Sequence, residues 1–178
     1  MTATKEMRRP LRVLDEPFEQ DSFLRTMLRH LAGTLQDVVG LKEAAGFVTI
    51  VSQRMGEEIE RSYRESLGKE RLSREEVAAV LIDLKRRIRG DFYLVEESDE
   101  RLVLQNRACP FGDKVVGRSS LCMMTSNVFG YICAENLGYA KVAIERSIAE
   151  GHAECRIVVY LRPSPEADVA QGREYLGP

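Results

Sequence analysis

The chain has 178 residues, 44% of them hydrophobic and 30% charged, a balance ordinary for one globular domain with a real core. Its 28 acidic and 26 basic residues give a formal net charge of -2, which leaves no basic excess for phosphates and disfavours direct DNA binding by the chain alone. The longest apolar stretch, Ala44 to Val51, is far too short to span a bilayer and follows no charged leader, so no membrane role and a cytoplasmic location are expected.

Residues 1–20 are polar, carry Lys5, Arg8, Arg9 and Arg12 with Pro10 and Pro17, and read as a flexible arm. A first helix starts at Asp21 or Ser22 and repeats Leu24, Leu28, Leu31 and Leu35 on one stripe, with His30 off it and solvated. A second helix, from about Lys42 to Leu67, places Ala44, Val48, Val51, Met55, Ile59 and Tyr63 at three- or four-residue spacing until Gly68 ends it. Its length also suits the seam of a homodimer. The third helix opens on a capping box, Ser73 to Glu76, carries Val77, Val80, Leu81, Leu84 and Ile88, and stops at Gly90. Its last turn holds Lys85, Arg86, Arg87 and Arg89, cations that complement a helix C-terminus.

From Asp91 the hydrophobic period changes to two. Phe92–Glu96 and Arg101–Gln105 flank a turn at Ser98–Glu100 and form a hairpin. A helix from Ser120 to about Leu137 follows, ended by Gly138; Tyr139–Glu145 and Cys155–Leu161 then make a second hairpin around Gly151. The tail, residues 163–178, has no apolar stripe and reads as loose. Helices, hairpin, helix, hairpin predict one α+β domain over residues 21–162, its antiparallel sheet packed with the N-terminal helices.

Chemistry concentrates in the four cysteines, which in a reducing compartment favour metal or catalytic use over disulfides. Cys122 and Cys133 on one helix are eleven residues apart, about 16 Å along the axis, too far to share a metal. Cys133 is therefore read as a buried small hydrophobe. Cys122 falls in the first helical turn, where free amides and the dipole favour its thiolate. Cys109 ends a strand, Cys155 begins another, and Gly112 and Gly117 let the intervening chain wrap around a site. The candidate ligands are thus Cys109, Cys122 and Cys155, with His152 as a fourth and Glu135 and Asp113 as weaker choices. Zinc or an iron–sulfur cluster suits such a set, and buried structural thiols remain the alternative.

The segments Leu35–Gly40, Cys109–Gly112, Leu121–Asn127, Glu135–Ala140 and Gly151–Cys155 resemble the methanogen output domain family, itself similar to the 4-vinyl-reductase-like sensory domains. The resemblance covers roughly residues 22 to 162. It implies a signal-handling module, often found beside sensory or DNA-binding domains, and a regulatory protein partner is a further expectation. It also brings in relatives that hold zinc through cysteines and an acidic residue and bind small apolar ligands. Repressors that sense iron–sulfur status have a similar layout: Cys109-Pro, Cys122 after twelve intervening residues, and Cys155 shortly after Gly151. Cys133 departs from that pattern, and no DNA-binding domain precedes the module in this chain.

A sensory or regulatory domain with a three-cysteine metal or cluster site is therefore the leading expectation. The alternative is a small hydrophobic ligand enclosed by Phe47, Met55, Phe92, Met123, Met124 and Phe129, with structural cysteines. A winged-helix contact made by Ser73 to Arg89 meets an acidic turn where phosphate should lie. Catalysis is not expected: no Walker A loop, H-E-x-x-H or Gly-x-Ser-x-Gly occurs, and only two histidines could serve as bases.

Overall fold

The computed structural model describes residues 19–178, so the arm expected over residues 1–20 lies outside them except for its last two residues. Three helices come first: α1 (Gln20–Val39), α2 (Leu41–Leu67) and α3 (Arg74–Arg87). The strands β1 (Phe92–Glu97) and β2 (Arg101–Asn106) follow, then α4 (Cys122–Leu137), β3 (Tyr139–Arg146), β4 (Cys155–Tyr160), α5 (Pro165–Val169) and β5 (Arg173–Leu176). The class is α+β, as the element order predicts. No helix among the described residues is long and apolar enough to cross a membrane.

The strands form one antiparallel sheet in the order β1-β2-β4-β3-β5. The two hairpins predicted from sequence thus join through β2 and β4, in a register that sets Asn106 opposite Cys155. Alternation along these strands sends Leu102, Leu104, Val142, Ile157 and Val159 to one face. There they meet Val77, Leu81 and Leu84 of α3 and Phe129, Ile132 and Cys133 of α4 in the main core.

The second face is covered by the segment expected to be loose. Ser164 caps α5 by accepting from the Ala167 amide at 3.1 Å, and Ala167, fully buried, packs on Val103, Ala143, Val158 and Tyr160. Beyond it, β5 pairs with β3 from Tyr139↔Leu176 to Val142↔Arg173. The tail of residues 163–178 is therefore built into the sheet. Its anchoring comes from backbone pairing and two side chains, Ala167 and Tyr175, which leave no periodic pattern to read.

The two long helices also pack differently from their apolar stripes. On α2 the buried positions are Ala44, Ser52, Gly56 and Glu60, while Val51 and Met55 are exposed. On α1, Ala32 and Gly33 are buried while Leu24 and Leu31 are exposed. Close approach decides this. A Cβ on Gly56 would stand 3.1 Å from the Tyr131 side chain of α4, so small residues let α2 lie directly against α4. Glu60, 2% exposed, is held in that interface by Arg64 at 2.6 Å and by the Asn136 side-chain amide at 3.2 Å. Leu24, Met27 and Leu31 on α1 and Phe47, Ile50, Val51 and Met55 on α2 are left facing outward.

Candidate cysteine site

Three elements bring three thiols to one end of the sheet. Cys109 sits in a turn just after β2, closed by the Gly112 amide donating to the Cys109 carbonyl at 2.8 Å. Cys122 is the first residue of α4, which is entered through a 3₁₀ turn at Ser119–Leu121, so neither Ser119 nor Ser120 caps it with a side chain. Cys155 opens β4, and its sulfur accepts from the Ile148 amide at 3.4 Å and from Asn106 Nδ2 at 3.8 Å. All three line one cavity of about 30 Å³, together with Phe92, Pro110, Phe111, Leu121, Thr125, Ser147 and others. Among the described residues, no group of three or more His, Cys, Asp or Glu side chains is placed to hold a metal ion as it stands.

Burial governs the thiols. It pushes Cys122 up to about 12, helped by the neighbouring Cys109 and Cys155 and opposed by a hydrogen bond from Ser147. The helix-start amides expected to favour a Cys122 thiolate are outweighed by this desolvation. Burial also raises Cys109, against which the Phe111 amide and the charges of Lys85 and Arg25 work. Metal-free, these two sulfurs are thiols at neutral pH.

The fourth positions are less uniform. His152 is exposed and outside the cavity wall, its amide donating to the Ser147 carbonyl at 3.2 Å. Asp113 points to solvent beside Lys114, and Glu135 lines a separate cleft with Tyr131 and Tyr175. Glu150, which sequence reasoning passed over, is nearer: it accepts from the Ser147 hydroxyl at 2.8 Å and raises Cys122 by its charge.

Lys85 was missed altogether. Read from sequence as one of four cations that complement the C-terminus of the helix, it is 5% exposed and turns inward. Its ammonium donates to Thr125 Oγ1 at 2.9 Å and stands 5.3 Å from the Phe92 ring centroid and 5.0 Å from that of Phe129. Burial pulls it down to about 8, opposed by the charges of Cys109, Cys122 and Cys155. The signal was present: Lys85 is four residues past Leu81 and seven past Ala78, both buried, on one face of α3. Its neighbours behave as surface residues, Arg86 and Arg87 both pairing with Asp83 and holding that carboxyl down to about 2.

Cys133 lies apart, fully buried in the main core. Burial alone pushes it up to about 12 from its ordinary value of 9.0. A pKa raised in the folded state means the unfolded chain loses this proton first. Its stabilising share is therefore complete below about pH 9 and is lost as pH climbs toward 12. Urea unfolding of Cys133→Ala should show a shallower alkaline loss than the parent, and an identical slope between pH 9 and 11 would refute this.

The apolar set expected to enclose a ligand is not assembled. Phe47 and Met55 face outward, and Phe92 and Phe129 belong to the core, their rings edge to face at 5.7 Å. A cleft of about 650 Å³ does adjoin the cysteine cavity, sharing Cys122, Ile144 and Ser147 with it and reaching Lys42, Thr49, Met123 and Arg173. A second cleft, about 710 Å³ between α2 and α3, lies away from the thiols.

The family model described as methanogen output domain 1 matches residues 27–160. A search of the curated proteins found no match. Among solved structures, the chain is similar to the phenol-responsive sensory domain of the transcription activator PoxR, crystallised with phenol. The TM-score is 0.59 at 13% identity, covering 81% of this chain and 78% of that one, a likeness of fold.

Proposed function

From the premise that the chain belongs to the methanogen output domain 1 family, we propose a sensory and regulatory domain whose input is a thiophilic metal species held by Cys109, Cys122 and Cys155. The observation that carries this is the convergence of three thiols, from a turn, a helix start and a strand start, on one cavity beside a buried ammonium. Soft sulfur donors converging on one cavity fit zinc or an iron–sulfur cluster, with Glu150 or His152 available as a fourth donor. The regulatory rather than enzymatic reading is supported by the output-domain family and by the likeness to a sensory domain.

Uptake requires the thiols to draw together, and the piece able to do so is the chain of turns between β2 and α4. That segment is gripped by α1: Arg29 donates to the carbonyls of Lys114 at 2.6 Å and Val116 at 2.8 Å, and Gln36 accepts from Ser120 at 2.6 Å. Movement at the thiols therefore reaches α1, whose exposed apolar residues, with those of α2, form the face of a homodimer in this reading. Protein purified without oxygen should carry zinc or iron in stoichiometric amount and sediment as a dimer. A blank metal analysis together with a blank visible spectrum would end the metal reading, and a monomer at micromolar concentration would end the dimer.

A second reading, a small hydrophobic ligand with structural cysteines, is favoured by the cleft of about 650 Å³ next to Cys122. Phenol, named for the PoxR domain, is the first compound to try. Stabilisation of metal-free protein by phenol in a thermal shift supports this reading, and none across a panel of phenols removes it.

A further inference from the structure

A buried lysine normally finds a carboxylate, because an isolated ammonium in apolar surroundings is costly. Among the described residues Lys85 has none: Thr125 is the side chain it donates to, and no carboxylate is among the described groups acting on it. Thr125 and Phe92, which the ammonium touches, are themselves walls of the cysteine cavity, and Cys109, Cys122 and Cys155 are the charges it would meet. With neutral thiols, the fold thus holds a cation in its interior with no counter-ion among the described residues.

The missing charge is supplied by the site's own loaded state. When a divalent ion displaces three thiol protons to solvent, ion plus three thiolates carry a net charge of -1. One ammonium brings that assembly to zero. We propose that Lys85 is the fixed counter-charge of the cysteine site, a positioning residue that binds no metal but stabilises the thiolates once they have given up their protons. The proposal rests on the metal-binding reading above and adds to it a selectivity: the pocket favours an assembly of net negative charge over an uncharged molecule of the same size.

The test uses two neutral variants, Lys85→Met, which fills the space with apolar atoms, and Lys85→Gln, which can keep the bond to Thr125. Zinc is the probe, titrated anaerobically under reductant against a competing chelator, with urea unfolding of metal-free protein as the second readout. Both variants should bind zinc ~10–100-fold more weakly than the parent, the range for outer-shell partners of a metal site. Metal-free Lys85→Met should at the same time unfold at higher urea, because it no longer buries an unpaired charge. A purely structural lysine cannot give that pair of opposite signs. Zinc affinity within twofold of the parent in both variants overturns the inference and leaves the metal reading intact, as does a lower urea midpoint for metal-free Lys85→Met. A parent that takes up no zinc also overturns it, whereas the metal reading itself falls only if anaerobically purified protein lacks iron as well.

Discussion

Phe129→Ala should lower unfolding stability by about 3–5 kcal/mol, a large part of what a domain of this size commands. Phe129 is fully buried at the centre of the main core, where α4 meets the sheet and α3, and its ring packs edge to face on Phe92 at 5.7 Å. Neighbours on both layers restrain collapse into the vacated space, which puts the cost at the upper end of the range for lost transfer energy plus cavity. The ring is also one of two aromatic faces beneath the Lys85 ammonium. Under the metal reading proposed above, loss of stability should therefore come with weaker zinc binding in whatever fraction stays folded. Urea denaturation followed by circular dichroism gives the number, and a loss below about 1.5 kcal/mol would mean that the core is not organised around this residue.

Gly130→Ala sets two effects of opposite sign against each other. Alanine in a helix interior gains about 1 kcal/mol over glycine. Here, however, a Cβ would overlap the Tyr175 ring of β5. Helix α4 is held on both sides and cannot retreat, so the tyrosine must leave. It then gives up burial of its ring, worth about 2–3 kcal/mol, and its hydroxyl bonds with Ser126 at 3.1 Å and Asn127 Oδ1 at 3.0 Å. Ser126 is 1% exposed and must find another partner, whereas Asn127 Oδ1 keeps only its bond from Arg173 at 3.2 Å. A net loss of about 2–4 kcal/mol is expected, with residues 170–178 becoming sensitive to protease. Adding Tyr175→Ala to Gly130→Ala should then cost almost nothing more, because the ring is already out. Additive losses would show that the helix gives way instead.

Local signals were legible in the sequence and tertiary ones were not. The box at Ser73 and Glu76 forms reciprocally, and Gly68 and Gly138 take the left-handed conformation that ends α2 and α4. Each is decided within a few residues of chain, as were the two hairpins. The faces of α1 and α2 were misread because apolar periodicity marks a buried stripe only when nothing demands closer contact. Ser52 and Gly56 take the inside because α4 comes too near for Val51 or Met55. Of the cysteines, the three expected to converge, Cys109, Cys122 and Cys155, do line one cavity, and Cys133, set apart by helix rise, lies in the main core. Lys85 escaped although its spacing from Leu81 and Ala78 puts it on the buried face of α3, because its partner Thr125 lies on α4, and Glu150 escaped because it approaches only through the Ser147 hydroxyl.

The register that sets Asn106 opposite Cys155 joins residues 49 apart in the chain. Pairings of that separation demand loop closure before any contact repays it, and they are the slow steps of folding. Both hairpins, each local, can close first, leaving β2 and β4 to find one another last. The cavity has no walls until they do, so a newly made or refolding chain holds its thiols open to solvent through the whole of its slowest phase. Adventitious oxidation then competes with the final closure of the sheet, and cysteine protection against an alkylating reagent becomes a clock for that closure.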